Sequence, residues 1–328
     1  MKNSVFIVRT PLQAFNAVEA RERFCQNQNN YIIIVYRNSI DRRLLESIVL
    51  LEDWFRVSYI SLKPHLPLMI FFYKLLQDMP TIEYCFLGDH STIINYYMNR
   101  VKYQKLILLE DGAATIRRAE LLEKRVFHKI KKTAYSEKSI LEIAFERLLK
   151  IDTRYYYNSR FFTIYNLKNS IKIINNDYRF FKSMIKKFPQ KKEAFFIGSN
   201  IKDKIMVDIE TFERYILDIV NIYRRKEIKF YYILHRKEDE IYMQSLSKRL
   251  NFKCIRFSNI LELEFLKMQY IPCEVSTFLS TAVTTLNNLY PSTYSYYPLS
   301  SDDINEKFRN HIDSLYQQFE KEGIESII

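Results

Sequence analysis

Five short stretches of this chain carry residue types that do chemistry, and each sits at the end of an apolar run or the start of a helix-like one. Glu110-Asp111-Gly112 closes KLILLEDG. Gly198-Ser199-Asn200-Ile201-Lys202-Asp203 follows AFFI, and His235-Arg236-Lys237 follows YYIL. Glu262 and Glu264 alternate with apolar residues in Leu261–Leu266, and Ser276–Thr281 reads STFLST. A carboxylate beside a glycine turn can take a proton from a hydroxyl. A histidine between a strand end and two cations is placed to meet a phosphate, because the cations favour the anion and the imidazole can donate a hydrogen bond or a proton. A carboxylate at a helix start can accept from ribose hydroxyls. Hydroxyls and N–H groups at a helix N-terminus seat a phosphate.

Each stretch also has a plainer reading. His235 reads also as a surface or half-buried histidine, Ser276 and Thr277 as helix caps, and Glu262 and Glu264 as first-turn residues facing the helix dipole. Asp111 reads as an N-cap and Asp203 as a solvated loop residue. The order of the five is more informative than any one of them: acidic-glycine, glycine-serine turn, histidine, carboxylate, hydroxyls.

The elements that must position them alternate. Apolar runs bounded by turn residues predict buried strands at Val5–Thr10, Tyr31–Tyr36, Val57–Leu62, Ile82–Leu87 and Leu106–Leu109. Helical spacing predicts Leu12–Phe24 behind Pro11, Arg42–Leu51, Leu66–Leu76, and a helix from Ser91 to Met98. The rhythm restarts near Ala194. Strands are expected at Phe195–Ile197, Phe230–Leu234, Cys254–Phe257, Cys273–Val275 and Tyr294–Tyr297. Helices are expected at Ile205–Tyr223, Glu240–Leu250, Leu261–Met268, Ser276–Leu286 and Asp302–Glu322. Three of the four glycines, Gly88, Gly112 and Gly198, end apolar runs, which lines one rim with tight turns. The pattern predicts an α/β chain of GT-B type, with two Rossmann-like domains facing a central cleft. Residues 1–118 form the N-terminal acceptor-side domain and 193–328 the nucleotide-binding domain. Residues 119–192 form a basic helical connector, with an apolar period at Ile140–Ile151.

The net charge is +12. Residues 121–192 hold 18 Lys/Arg against six Asp/Glu, so the rest of the chain is neutral overall. Such a stretch is either a solvated face with aromatic undersides or a patch resting on anionic lipid, each basic residue adding about 1 kcal/mol near such a surface. The four cysteines form no C-x-x-C pair and no zinc spacing, which fits reduced thiols in a cytoplasmic setting. No apolar segment reaches the ~20 residues a bilayer needs.

The chain resembles glycosyltransferase family 52, the bacterial lipooligosaccharide sialyltransferases, and more broadly other bacterial GT-B sialyltransferases. Thr10-Pro11-Leu12-Gln13 is similar to the family's opening strand–helix junction, and Glu110-Asp111-Gly112 to an acidic-acidic-Gly motif shared by several of these families. Gly198-Ser199 followed by Asp203-Lys204-Ile205-Met206 resembles the Gly-Ser turn with its Asp-Lys-x-Met. His235 matches the histidine of a His-Pro motif, although Arg236 stands where the family has proline. Glu274 to Ser280 is similar to the strand entering the phosphate-binding helix.

The resemblance implies inverting, metal-independent transfer from CMP-sialic acid to a terminal galactose-type hydroxyl, with no cofactor. The missing D-x-D motif agrees. It implies Asp203 as the base with Asp111 as the alternative, and His235 as acid or phosphate stabiliser. It puts Gly198, Ser199, Glu262, Leu263, Glu264, Phe265, Leu266, Thr277, Leu279 and Ser280 at the CMP site. A homodimer is a further implication, while peripheral contact with the inner membrane is expected from the basic stretch. Rival readings are a hexosyl or polysialyl transferase of surface polysaccharide, and a nucleic-acid binder. The last lacks any recognition motif such as an RNP sequence or zinc finger, so nucleic acid is not an expected partner.

Overall fold

The computed structural model describes residues 2–61, 81–88, 92–124, 132–133, 136–137, 152, 154–168 and 171–328. The expected helix at Leu66–Leu76, the Ser91 cap and the apolar period at Ile140–Ile151 lie outside these residues. The chain divides into two compact units, Met1–Phe180 and Phe181–Ile328.

The first unit is built on a parallel sheet of seven strands. They are β1 (Asn3–Val8), β2 (Asn29–Tyr36), β3 (Arg56–Ser61), β4 (Ile82–Leu87) and β5 (Tyr103–Leu109), then β8 (Arg160–Thr163) and β9 (Ile173–Asn175), in the order β3-β2-β1-β4-β5-β8-β9. A separate antiparallel pair joins β6 (Lys132–Thr133) to β7 (Ser136–Glu137). Every residue of β1 is buried, as expected of a strand covered on both faces. Helix α1 (Pro11–Phe24) starts where Pro11 fixes φ, and Thr10 and Gln13 cap it reciprocally. Helices α2 (Ser39–Val49), α3 (Thr92–Met98) and α4 (Ala113–Glu123) follow β2, β4 and β5. The strand order reverses between β1 and β4, the place where such sheets open a crevice.

The stretch read as a helical connector contributes two of these strands. Phe161-Phe162 and Ile173-Ile174 are apolar runs too short to distinguish strand from helix by period. Their backbone pairs with β5 and with each other, and Phe161 and Phe162 are fully buried.

The second unit has its own parallel sheet: β10 (Gln190–Ile197), β11 (Lys229–Ile233), β12 (Lys253–Ile255), β13 (Ile271–Thr277), β14 (Thr293–Tyr296) and β15 (Glu325–Ser326), in the order β12-β11-β10-β13-β14-β15. Helix α5 (Arg179–Ile185) spans the division between units. Helices α6 (Ile209–Arg225), α7 (Glu240–Leu250), α8 (Leu261–Met268), α9 (Ala282–Leu289) and α10 (Arg309–Lys321) complete it. Along α6, Phe212, Ile216, Ile219, Val220 and Tyr223 bury one stripe.

Four helix starts differ from the expected ones. Helix α2 begins at Ser39, not Arg42, where the Asn38 side chain caps it. Helix α9 begins at Ala282, not Ser276, because Ser276 and Thr277 end β13 and pair with β10 and β14 instead of capping a helix. Helix α6 begins at Ile209, not Ile205, because Ile205 and Val207 hydrogen-bond backbone groups of Asn305 and Asp303, and Asp208 then caps the helix. Helix α10 begins at Arg309, not Asp302, because Arg214 and Tyr215 hold the Asp303 carboxylate in a preceding 3-10 turn. The α/β class and the two Rossmann-like units expected from the sequence are both present. Trp54, the one tryptophan of the chain, lies in the first unit, edge-on to Phe6 at 5.0 Å and under Arg21.

Candidate functional site

In parallel α/β sheets ligands sit beyond the carboxyl ends of the strands. In the second unit, β11, β10 and β13 are neighbours, so the residues after them share one rim. That rim carries His235, Gly198-Ser199 and Thr277–Ser280 in that order. At a strand spacing of ~4.8 Å, the outer two are roughly 10 Å apart in backbone. The topology sets His235 and the hydroxyl turn on one rim, two strands apart.

The Thr277 hydroxyl donates to the Ile197 carbonyl (2.9 Å) and accepts from Ser280 N–H (3.0 Å), which fixes the turn before α9. Ser276, by contrast, is interior and hydrogen-bonds Tyr223 and Ser295. Across the crevice, the Ser199 Oγ and the Asn200 Oδ1 are buried without a hydrogen-bond partner among the described residues. Buried polar atoms without partners are rare in folded chains and mark places where a ligand group or water completes the bonding.

His235 is half-buried. Its Nδ1 accepts from Lys237 N–H (3.2 Å), leaving the proton on Nε2. Burial first, then the charges of Arg236, Lys237 and Arg256, push its pKa down, so the ring is neutral at pH 7 and donates through Nε2. Its turn is tied from below. The Glu238 carboxylate accepts from His235 N–H (2.6 Å) and from Tyr232 Oη (2.8 Å). Arg256 donates to the carbonyls of His235 (3.1 Å) and Glu238 (2.9 Å). Burial raises the Glu238 pKa to about 7 against the hydrogen bonds that lower it. Gly198 makes this possible: a Cβ there would collide with Glu238 Oε2 and approach the Ile233 carbonyl to 2.8 Å. Glu238 was not singled out in the sequence. The signal for it is a carboxylate three residues after His235, the spacing that lets a side chain reach back to an N–H.

Asp203 lies in the loop after Gly198, half-exposed, paired with Lys202 at 2.5 Å. At α8, Glu262 is buried and receives hydrogen bonds from its own N–H and from Thr285, and burial raises its pKa to about 7. Glu264 accepts from Ser258 and pairs with Lys267. Leu263, Phe265 and Leu266 are core residues, Phe265 packing on Phe195 and Tyr290, and Leu279 packs against the other side of the core. The side chains of Leu263, Phe265 and Leu266 are committed to packing, whereas Leu279 is only partly buried.

Asp111 belongs to the rim of the first unit. Its Oδ1 accepts from the Thr10 hydroxyl (2.8 Å), and its Oδ2 meets Arg118 (3.1 Å). Arg118 also donates to the Gly88 carbonyl (2.8 Å), and the Gln13 side chain occupies the space a Cβ on Gly88 would need. Gly112, not Asp111, is the N-cap of α4, at φ 60°, a conformation that favours glycine. Glu110 is fully buried and accepts from Thr163 Oγ1 and Ile164 N–H, both at 2.7 Å, joining β5 to the turn after β8.

No protein-family model matches the chain, and no curated protein matches it. Among solved structures, it is similar to Escherichia coli heptosyltransferase WaaC with ADP at TM-score 0.47 and 9% identity, over 98% of each chain. The UDP-GlcNAc 2-epimerase from Neisseria meningitidis bound to UDP-GlcNAc gives TM-score 0.48 and 13% identity, over 98% of this chain and 92% of that one. Acinetobacter baumannii MurG gives 0.44 and 9%, over 100% and 86%. Likenesses this distant assign no residue a role.

Proposed function

We propose that this protein is a glycosyltransferase of GT-B type that moves sialic acid from CMP-sialic acid to a terminal galactose-type hydroxyl of a lipooligosaccharide, O-antigen or capsule glycan. Transfer proceeds with inversion and without a metal. The observation that carries the reading is the rim of the second unit, where a neutral His235 donor, the unpartnered Ser199 hydroxyl and the Thr277–Ser280 turn flank Gly198 on adjacent strands. In the reaction the acceptor oxygen attacks the anomeric carbon, the bond from that carbon to the phosphate oxygen breaks, and the hydroxyl proton passes to a carboxylate. The charge left on the CMP phosphate is met by the rim's donors and by Arg236 and Lys237.

Asp203 is the proposed base. It is half-exposed and shares a unit with His235, whereas both carboxylate oxygens of Asp111 are engaged by Thr10 and Arg118. The sequence resemblance supports the sialyl donor and a homodimer, and the basic stretch of residues 121–192 supports peripheral contact with the inner membrane. Incubation with CMP-sialic acid, with and without lactose, tests the donor. CMP release that requires lactose and persists in EDTA is expected. Turnover of a UDP- or GDP-sugar instead would overturn it in favour of a hexosyl transferase.

A further inference from the structure

At the other end of the first sheet, where its strands begin, a cleft of about 310 Å³ opens between Tyr103, Lys105, Asn158, Arg160 and Lys172. Among the described residues no carboxylate lines it. The register explains why the cations converge. Ile107 of β5 pairs with Arg160 of β8, and Phe161 pairs with Ile173 of β9, so the same register carried back one residue sets Lys172 beside Arg160. Side chains alternate along a strand, which puts Lys105, Arg160 and Lys172 on one face of three adjacent strands.

Like charges opposite one another on neighbouring strands are destabilising. Here they are not neutralised from within. Among the described residues, Arg160 and Lys172 have no ion-pair partner, and Lys105 donates to Tyr84 Oη (2.9 Å) and reaches Glu83 only at 4.0 Å. The cleft is open to solvent, so a phosphate held there can carry an organic group that extends outward. We propose that this cleft is an anion site that takes the phosphate of a phosphoester, through Arg160 and Lys172 with Lys105 and Asn158 beside them. It is separate from the rim carrying Asp111, since it lies at the opposite ends of the same strands.

Such a phosphate comes either from a soluble phosphorylated molecule or from a lipid headgroup. Glycerol 1-phosphate followed by calorimetry probes the first source. Sedimentation with phosphatidylglycerol–phosphatidylcholine vesicles, against phosphatidylcholine alone, probes the second. The wild-type chain is expected to bind at least one, and Arg160→Gln/Lys172→Gln to weaken that binding about tenfold or more. The charge-matched Lys248→Gln/Lys321→Gln, at two exposed lysines of the second unit, is expected to bind as wild type. Should the double variant fail to fold, Lys172→Gln alone serves, with a smaller loss expected. Wild-type binding to neither probe, or equal losses in the control pair, would overturn the proposal.

Discussion

Two titrating side chains three residues apart have opposite consequences at neutral pH. His235 is held neutral by burial and by three cations, and Glu238 is held near its midpoint by burial first and by the charge of Asp203. A carboxyl whose folded pKa is raised contributes stability below its unfolded value, about 4.5, and loses it as pH rises through about 7. The wild type is therefore expected to lose stability relative to Glu238→Gln between those limits, by at most about 3 kcal/mol, read as urea midpoints at several pH values. A difference that does not change with pH would remove the buried-acid account. For catalysis, His235→Ala is expected to cut turnover roughly a hundredfold or more while circular dichroism stays unchanged; near-normal transfer would eliminate the leaving-group role. Asp203→Asn should abolish transfer with a stability change within about 0.5 kcal/mol, since the side chain is half-exposed. Asp111→Asn should cost about 1–2 kcal/mol of stability by weakening its bonds to Thr10 and Arg118. If Asp203→Asn keeps its rate and Asp111→Asn does not, the order of the two bases is reversed.

At the scale of elements, the turn after β10 and the turn after β11 form one unit because Gly198 has no side chain. Gly198→Ala would drive a methyl into Glu238 and the Ile233 carbonyl, and a destabilisation of about 2 kcal/mol is expected in thermal melts. An unchanged melt would mean the carboxylate moves aside freely. Strands ending in glycine were legible from the chain because an apolar run followed by a turn residue has few alternatives. So was His235, as a residue at a strand end; the Thr277–Ser280 turn was not, since those residues were expected inside a helix starting at Ser276 and instead follow the longer strand β13. Glu238 was not, because its burial depends on a glycine forty residues earlier. Leu263, Phe265 and Leu266 went to the core rather than to a ligand because a short amphipathic run does not say which neighbours its apolar side will meet. The strands β8, β9 and β15 were missed for a related reason: two- to four-residue segments become strands only where another strand offers unpaired backbone.

Over the whole molecule, the expected two-part α/β plan is present, while the basic middle stretch supplies strands to the first sheet instead of standing apart as a helical connector. A nucleotide that binds only the folded chain raises its stability by mass action, by about 2.7 kcal/mol at a hundred times its dissociation constant. CMP is expected to raise the melting temperature more than UDP or GDP does, and a larger shift with UDP would redirect the donor assignment. The solitary indole of Trp54 makes such melts more informative. It reports on the first unit alone, while the second unit offers only tyrosine and phenylalanine emission and absorbance. Fluorescence excited at the tryptophan edge therefore follows the first unit, while far-ultraviolet ellipticity follows both. Should the halves melt at separate temperatures, a nucleotide docked beside His235 would displace the ellipticity curve and leave the emission curve where it was.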